Sequence, residues 1–132
     1  MRTHVSRRSV VVATAAALGG LAGCLNRGRD CARPARILIE RVYPHEDYER
    51  QIVPVRYRAL TSAEQKLAES AMEAQVEPCL SEDAAARRFV ERVRTAVDEQ
   101  GSIRGGASHA YLLWDGAYYN IRLVVDGELI TA

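Results

Sequence analysis

The chain has 132 residues, which is enough for one small domain. Apolar residues make up 48% and charged residues 27%, a composition that excludes a disordered chain. The formal net charge is +1, but residues 1–23 contain three arginines and no acid, so the rest has 15 basic and 17 acidic residues. This balance predicts no overall attraction to nucleic acid or to anionic lipid.

The first 23 residues have the three-part layout of a secretory signal: basic, then apolar, then small residues. The apolar stretch from Val10 to Leu18 is shorter than the roughly 20 residues of a transmembrane helix. Arg7 and Arg8 before it resemble a twin-arginine export signal, the route of folded cargo. We therefore predict a signal peptide at residues 1–23. The alternatives are a plain N-terminal membrane anchor and a soluble secreted protein.

A lipid-attachment motif ends this signal. Leu21-Ala22-Gly23-Cys24 resembles a lipobox, in which small residues let a signal peptidase reach the bond before the cysteine. The lipid linked to that cysteine has two hydrocarbon chains, and two chains give stable anchoring where one does not. We expect Cys24 to hold the protein at the extracytoplasmic face of the cell membrane, with residues 24–36 as the lipidated tether.

Two further cysteines remain once Cys24 is assigned to lipid. Cys31 and Cys79 are an even pair outside the cytoplasm, which predicts a disulfide. The bond would close a loop of about 49 residues, worth roughly 4 kcal/mol on the chain-entropy estimate. Two buried free thiols are the alternative. The chain has no Cys-x-x-Cys motif, so a redox or metal role is not indicated.

The rest of the chain, residues 37–132, is predicted to form a single α+β domain. Its first part alternates polar and apolar residues as strands do. We predict a strand over Ile37–Val42, a loop over Pro44–Glu49 and a second strand over Val53–Leu60. In the second strand the residues expected to share one face are Val55, Tyr57 and Ala59.

Two helices are predicted in the middle of the chain. Thr61-Ser62-Ala63-Glu64 is a capping box, in which Thr61 and Glu64 bond each other's backbone amides. This helix should reach Ala74 and bury Ala63, Leu67, Ala71 and Ala74. Ser81-Glu82-Asp83 caps the second helix, which Gly101 and Gly105-Gly106 should end. Its predicted apolar stripe is Ala86, Phe89, Val90, Val93 and Val97.

The C-terminal third has the period of strands. The predicted strands are Ala110–Trp114, Ala117–Val125 and Glu128–Thr131. Asp115-Gly116 and Asp126-Gly127 separate them, and Asp-Gly provides the positive φ of a two-residue hairpin turn. We therefore predict an antiparallel meander. The element order is ββ-αα-βββ, with the two helices packed on one face of a small antiparallel sheet.

No residue set indicates catalysis, a metal site or a cofactor. His45, Glu46, Asp47 and Glu49 form the densest cluster of candidate cation ligands, and a solvated loop is favoured because a calcium loop needs more alternating acids and a glycine. His109 follows Ser108, but adjacent strand residues point to opposite faces and cannot act together.

Aromatic residues are concentrated in one predicted hairpin. Two interpretations are open: a binding surface for a ligand or partner, or packing on both faces of the sheet. The residues of this candidate surface are Tyr111, Trp114, Tyr118 and Tyr119.

Two segments resemble an uncharacterised family of haloarchaeal exported proteins and lipoproteins. Residues 55–64 resemble its strand leading into a capped helix, and residues 111–121 resemble its Tyr-Val-x-Tyr-Asp-Gly-x-Tyr-Tyr hairpin. Cys79, between the helices, also fits. The resemblance implies an archaeal cell surface and no known activity.

Together these patterns predict a membrane-tethered, non-catalytic domain that binds a protein or a small molecule and not nucleic acid. A small extracytoplasmic enzyme and a purely structural component of the envelope are the alternatives. A cleft that gathers a histidine and carboxylates would favour the enzyme, whereas an exposed aromatic patch would favour binding.

Overall fold

A computed structural model describes residues 31–104 and 109–132 of the chain. The signal peptide, the export residues Arg7 and Arg8 and the lipid-attachment residue Cys24 lie outside these residues. Arg33–Ala132 form one compact unit. No helix in the described residues is long and apolar enough to cross a membrane.

The fold is of the predicted α+β class, with a five-stranded sheet. In chain order the strands are β1 (Ala35–Val42), β2 (Val55–Arg56), β3 (Tyr111–Trp114), β4 (Ala117–Val125) and β5 (Glu128–Thr131). The helices are α1 (Glu46–Glu49), α2 (Ser62–Glu73) and α3 (Ala84–Arg104). The strand-helix-strand order is as predicted, with α1 as an additional short element.

Strand β4 is the centre of the sheet. It pairs antiparallel with β1 along one edge, from Ala35 opposite Val125 to Val42 opposite Tyr118. Its other edge pairs with β3 and β5, one after the other. Both hairpins are antiparallel as predicted, but the predicted meander is wrong in one respect: β3 and β5 share an edge of β4 because β1 occupies the opposite edge.

The segment after β1 differs from its prediction in two places. The predicted loop contains α1, which His45 caps by accepting a hydrogen bond from the Asp47 amide at 3.3 Å. The predicted strand Val53–Leu60 is reduced to β2, which is parallel to β3, and a 3₁₀ helix, Tyr57–Ala59, follows. Ala59 is exposed there rather than sharing a face with Val55.

Helix α2 starts at the predicted capping box. The Glu64 amide donates to Thr61 Oγ1 at 3.2 Å, and the Thr61 amide donates to Glu64 Oε1 at 3.3 Å. The buried face is only partly as predicted, since Ala63 and Ala74 are exposed whereas Glu64 is fully buried. The other buried residues of this helix are Ala68 and Ala71.

Helix α3 starts as predicted, with Asp83 Oδ1 accepting a hydrogen bond from the Ala86 amide at 3.0 Å. It continues past the predicted stop at Gly101. The predicted apolar stripe packs into the core, with Val97 partly buried, and Gln100 is buried at its end. The Gln100 side chain accepts a hydrogen bond from the Val53 amide at 2.9 Å, which holds the chain entering β2.

One face of the sheet packs on α2 and α3. Successive strand residues point to opposite faces, so the buried residues of β1 and β4 fall at alternate positions. The residues of this helix-side face are Ala35, Ile37, Ile39, Ile121, Leu123 and Val125, and they form one core with Phe89, Val90 and Val93 of α3.

The predicted Cys31–Cys79 disulfide is present. The chain around Cys79 also pairs with the sheet, because Ile37 and Val76 exchange backbone hydrogen bonds at 2.9 and 3.0 Å. The Leu80 amide donates to the Arg33 carbonyl at 2.8 Å. The link between α2 and α3 therefore extends the sheet beside β1 and is attached covalently to the segment before it.

Candidate functional site

The four aromatic residues of the predicted surface divide between the two faces of the sheet. Tyr119 lies opposite Leu112 and packs against the helix-side core, and Trp114 lies two residues beyond Leu112 on the same face. Tyr111 and Tyr118 have the opposite parity and lie on the other face. The four side chains therefore do not form one continuous surface.

Trp114 and Tyr57 form a stacked pair. Their ring centroids are 4.5 Å apart with an interplanar angle of 21°, and the Tyr119 ring centroid lies 6.3 Å from that of Trp114. Aromatic pairs in this distance range contribute about 0.5–1.5 kcal/mol beyond burial of their area. Tyr57 was not predicted as a site residue, because its ring reaches Trp114 only through the 3₁₀ helix after β2.

A carboxylate on α2 fixes the Tyr57 ring. The Tyr57 hydroxyl donates to Glu69 Oε2 at 2.5 Å, and Gln65 Nε2 donates to the Tyr57 carbonyl at 3.1 Å. The hydrogen bond to the Glu69 carboxylate, together with loss of solvation and the nearby negative charge, raises the pKa of Tyr57 above its ordinary value of 10.0. The ring pair is therefore held in place by contacts within the domain.

A groove of about 540 Å³ lies beside this ring pair. Tyr57 and Trp114 line it together with Arg56, Arg58, Leu113, Asp115 and Gly116, and we call it the aromatic groove. Both arginines are exposed and have no carboxylate partner among the described residues. Asp115 and Gly116 form its rim in the hairpin turn, with φ values of 52° and 74°.

A third arginine interacts with rings near this groove. The Arg41 guanidinium carbon lies 5.7 Å from the Tyr119 ring centroid and 4.8 Å from that of Tyr43. Both distances are in the range of a cation–π contact. Tyr43 is 82% exposed, so this end of the sheet presents an aromatic ring and a cation to solvent.

On the opposite face, α1 covers part of the hairpin. The Tyr48 and Tyr111 hydroxyl oxygens are 2.6 Å apart in a hydrogen bond, and their rings meet edge to face at 6.0 Å. Tyr111 is thereby buried. Tyr118 lines a groove of about 380 Å³ with Glu46, Glu49 and Arg50 of the α1 segment. Tyr111 therefore packs α1 onto the sheet rather than forming an open surface.

The two described histidines lie in different settings. The His45 side chain caps α1 through Nδ1 and is 81% exposed, and Asp47 pairs with Arg50 at 2.6 Å. His109 has a buried Nδ1 without a hydrogen-bond partner among the described residues, and its ring centroid is 6.3 Å from that of Tyr111. Ser108 lies outside the described residues.

Within residues 31–104 and 109–132, no group of three or more His, Cys, Asp or Glu side chains is arranged to hold a metal ion. The aromatic groove places rings fixed by hydrogen bonding and stacking beside two guanidinium groups, an arrangement suited to contacting a flat apolar group next to an anion. Comparison of the chain with protein-family models, with curated proteins and with solved structures found no match.

Proposed function

We propose that the protein is an exported lipoprotein, anchored through Cys24 at the extracytoplasmic face of the cell membrane. The order of basic, apolar and small residues before Cys24 supports the anchor, and Arg7 and Arg8 support twin-arginine export. The Cys31–Cys79 disulfide supports export, because disulfides persist mainly in oxidising compartments. The hairpin at residues 111–121 supports membership of the haloarchaeal family that it resembles.

We propose further that the anchored domain is a non-catalytic binding module. The observation that carries this proposal is the stacked Tyr57–Trp114 pair beside the exposed Arg56 and Arg58. Rings offer a flat apolar contact at a low cost in side-chain entropy, and a guanidinium matches a carboxylate with two parallel hydrogen bonds. The combination fits a ligand that has both a flat apolar face and an anionic group.

An acidic sugar unit has that chemistry. One face of a pyranose ring presents C–H groups that pack on aromatic rings, and the carboxylate of a uronic acid suits Arg56 or Arg58. A neutral sugar would meet the rings but leave both guanidinium groups without a partner. We therefore propose acidic glycans as the ligand class of the aromatic groove.

Trp114 makes this proposal directly measurable, because it is the only tryptophan of the chain. Titration with oligomers of a uronic acid should change Trp114 fluorescence, and titration with neutral oligosaccharides of the same length should not. The double variant Arg56→Gln/Arg58→Gln should lose at least about tenfold in affinity, from one lost charge-assisted pair.

The matched control removes two charges elsewhere. Arg36 and Arg122 are exposed on the other face of the sheet, so Arg36→Gln/Arg122→Gln should bind as the wild type does. If both double variants lost the same affinity for the glycan, the loss would come from the lower net charge, which would contradict a site at Arg56 and Arg58. Hydrolysis of the glycan by the wild type would favour the enzyme, and absence of a fluorescence response would favour a structural role.

The anchor has its own test. Cys24→Ser should remove the lipid, so that the variant is released or left unprocessed whereas the wild type partitions into detergent. The globular domain should be intact, because Cys24 precedes its first strand. Mass spectrometry of the exported wild type decides the question: an unmodified Cys24 thiol, or retention of residues 1–23, would contradict the proposal.

A further inference from the structure

A second groove, of about 450 Å³, lies on the N-terminal half of α3. Five of its eight lining residues are arginines, and Glu91 is the only acid among the eight. We call it the arginine groove; its lining residues are Arg33, Leu80, Arg87, Arg88, Val90, Glu91, Arg92 and Arg94. Such a concentration of one charge is unexpected in a domain whose acidic residues outnumber its basic ones.

The five arginines are not equivalent. Arg92 bonds the buried Glu64 at 2.6 Å, and Arg88 lies 3.6 Å from the same carboxylate. Arg33 lies 3.5 Å from Asp126, with both side chains about half exposed. Two guanidinium groups remain uncompensated.

Those two are Arg87 and Arg94. Arg87 donates to the Leu80 carbonyl at 2.6 Å, which leaves its charge unneutralised. Neither Arg87 nor Arg94 has a carboxylate partner in the part of the chain that the structure describes. The acidic α1 segment, which would oppose such a charge, contacts the hairpin through Tyr48 instead.

The arginine groove lies close in sequence to the proposed anchor. Arg33 lines the groove and follows Cys24 by nine residues, which span at most about 30 Å when fully extended. The disulfide shortens this reach, because it attaches Cys31, seven residues after Cys24, to the neighbour of Leu80 in the groove. A lipid on Cys24 would therefore keep the groove near the headgroups at all times.

We propose that the arginine groove docks on the anionic headgroups of the membrane that holds the anchor. Guanidinium groups pair with the phosphate oxygens of lipid headgroups through two parallel hydrogen bonds, as they do with carboxylates, and a short tether makes the contact effectively intramolecular. The inference rests on the proposed lipid anchor. Its consequence is that one side of the domain is held against the bilayer.

Chemical footprinting of arginines tests this orientation. The processed lipoprotein is reconstituted into vesicles of phosphatidylcholine alone or of phosphatidylcholine and phosphatidylglycerol in equal amounts, and is then treated with phenylglyoxal. Mass spectrometry should show modification of Arg87 and Arg94 slowed about fivefold on the anionic vesicles. Arg36 and Arg122 should react equally on both. Equal rates for Arg87 and Arg94 on both vesicles would overturn the proposal.

A pair of variants separates local from net charge. Arg33 also lines the groove, so its modification should be slowed on anionic vesicles as well. Arg87→Gln/Arg94→Gln should remove this protection of Arg33, and Arg36→Gln/Arg122→Gln, with the same loss of charge, should preserve it. Identical behaviour of the two variants would overturn the docking face. Flotation with the neutral vesicles tests the anchor separately. Protein that does not float with them overturns the anchor and the inference with it. Protein that floats but whose Arg87 and Arg94 are modified at equal rates on both vesicles overturns the docking face alone.

Discussion

The two grooves are similar in size and both contain arginines, but they place those arginines against different neighbours. In the aromatic groove, Arg56 and Arg58 lie beside stacked rings and have no described carboxylate partner. In the arginine groove, Arg88 and Arg92 lie against the buried Glu64. The two grooves therefore differ in whether a buried carboxylate lies behind the arginines: Arg88 and Arg92 support the fold through Glu64, whereas Arg56 and Arg58 are available for the proposed recognition. Substitutions should therefore separate the two roles.

The largest effect is expected for Arg92→Met. Removal of this guanidinium leaves Glu64 fully buried without its closest partner, and breaking such a pair typically costs 3–5 kcal/mol. We expect a loss of about 3 kcal/mol in the free energy of unfolding, because Arg88 remains at 3.6 Å. Urea denaturation measures it. Arg94→Met is the matched control, with an expected change within about 0.5 kcal/mol.

The same pair makes stability depend on pH. Burial by itself would raise the pKa of Glu64, but the hydrogen bonds from Arg92 and Thr61 outweigh it and lower the pKa below its ordinary value of 4.5. A lowered pKa in the folded state contributes stability above pH 4.5, and this contribution is lost as the pH falls through the folded-state pKa.

Urea titrations across the acid range should show this loss in the wild type and a flatter dependence on pH in Glu64→Gln. Glu73→Gln is the control, because Glu73 is exposed and in no ion pair among the described residues. A wild-type slope in Glu64→Gln would place the acid sensitivity at another carboxylate.

A smaller effect is expected for Gly116→Val, which acts on the rim of the aromatic groove alone. No heavy atom would lie within 4 Å of a new Cβ at Gly116, so any cost comes from its positive φ of 74°. A left-handed conformation costs other residues roughly 1–2 kcal/mol, and more when they are β-branched. Thermal unfolding should show that loss, whereas Gly116→Asn should cost less. A variant that melts with the wild type would contradict the argument.

The parts of the fold that the sequence predicts correctly are those decided by local chemistry. The Asp115-Gly116 and Asp126-Gly127 turns have positive φ at all four residues, as a two-residue hairpin turn requires. The capping box at Thr61 is likewise formed within a single turn of chain. The Cys31–Cys79 disulfide could be predicted because the chain has three cysteines, and the assignment of Cys24 to lipid leaves one pair.

The parts of the fold that the sequence does not predict depend on contacts between residues that are far apart in the chain. Residues 53–60 alternate as a strand does, but after Arg56 the chain turns into the 3₁₀ helix that brings Tyr57 against Trp114 and Glu69. Helix α1 has no standard N-cap residue, and its Tyr48 packs on the distant Tyr111. Tertiary contacts of this kind override local propensity and leave no periodic signal in the sequence.

The candidate site shows the same division. Trp114 and Tyr119 are identified from the hairpin, and strand alternation explains why Tyr111 and Tyr118 lie on the other face. Tyr57 could not be identified in this way, because its place in the groove depends on the 3₁₀ helix. The net charge of the chain also gives no sign of the arginine groove, because the groove results from where the charged residues lie on the surface and not from the sum of their charges.

The smallest effect is expected for Tyr57→Phe, which tests the support of the aromatic groove. The hydrogen bond to Glu69 raises the pKa of Tyr57, so its contribution to stability is complete below an unfolded-state pKa of about 10. That contribution is lost as the pH rises through the folded-state pKa. Ultraviolet titration of the wild type should show a late-ionising phenol that is missing in Tyr57→Phe.

Glu69→Gln is the companion variant, since it keeps an acceptor for the Tyr57 hydroxyl but removes the negative charge. It should return the ionisation of Tyr57 toward pH 10 without removing a tyrosine, while the Phe variant retains the stacked ring and should still respond to ligand at Trp114. A wild-type titration curve for Glu69→Gln, together with loss of an ordinary rather than a late-ionising phenol in Tyr57→Phe, would mean that the Tyr57–Glu69 hydrogen bond does not hold in solution. The rings of the aromatic groove would then lack the support on which their readiness for a ligand depends.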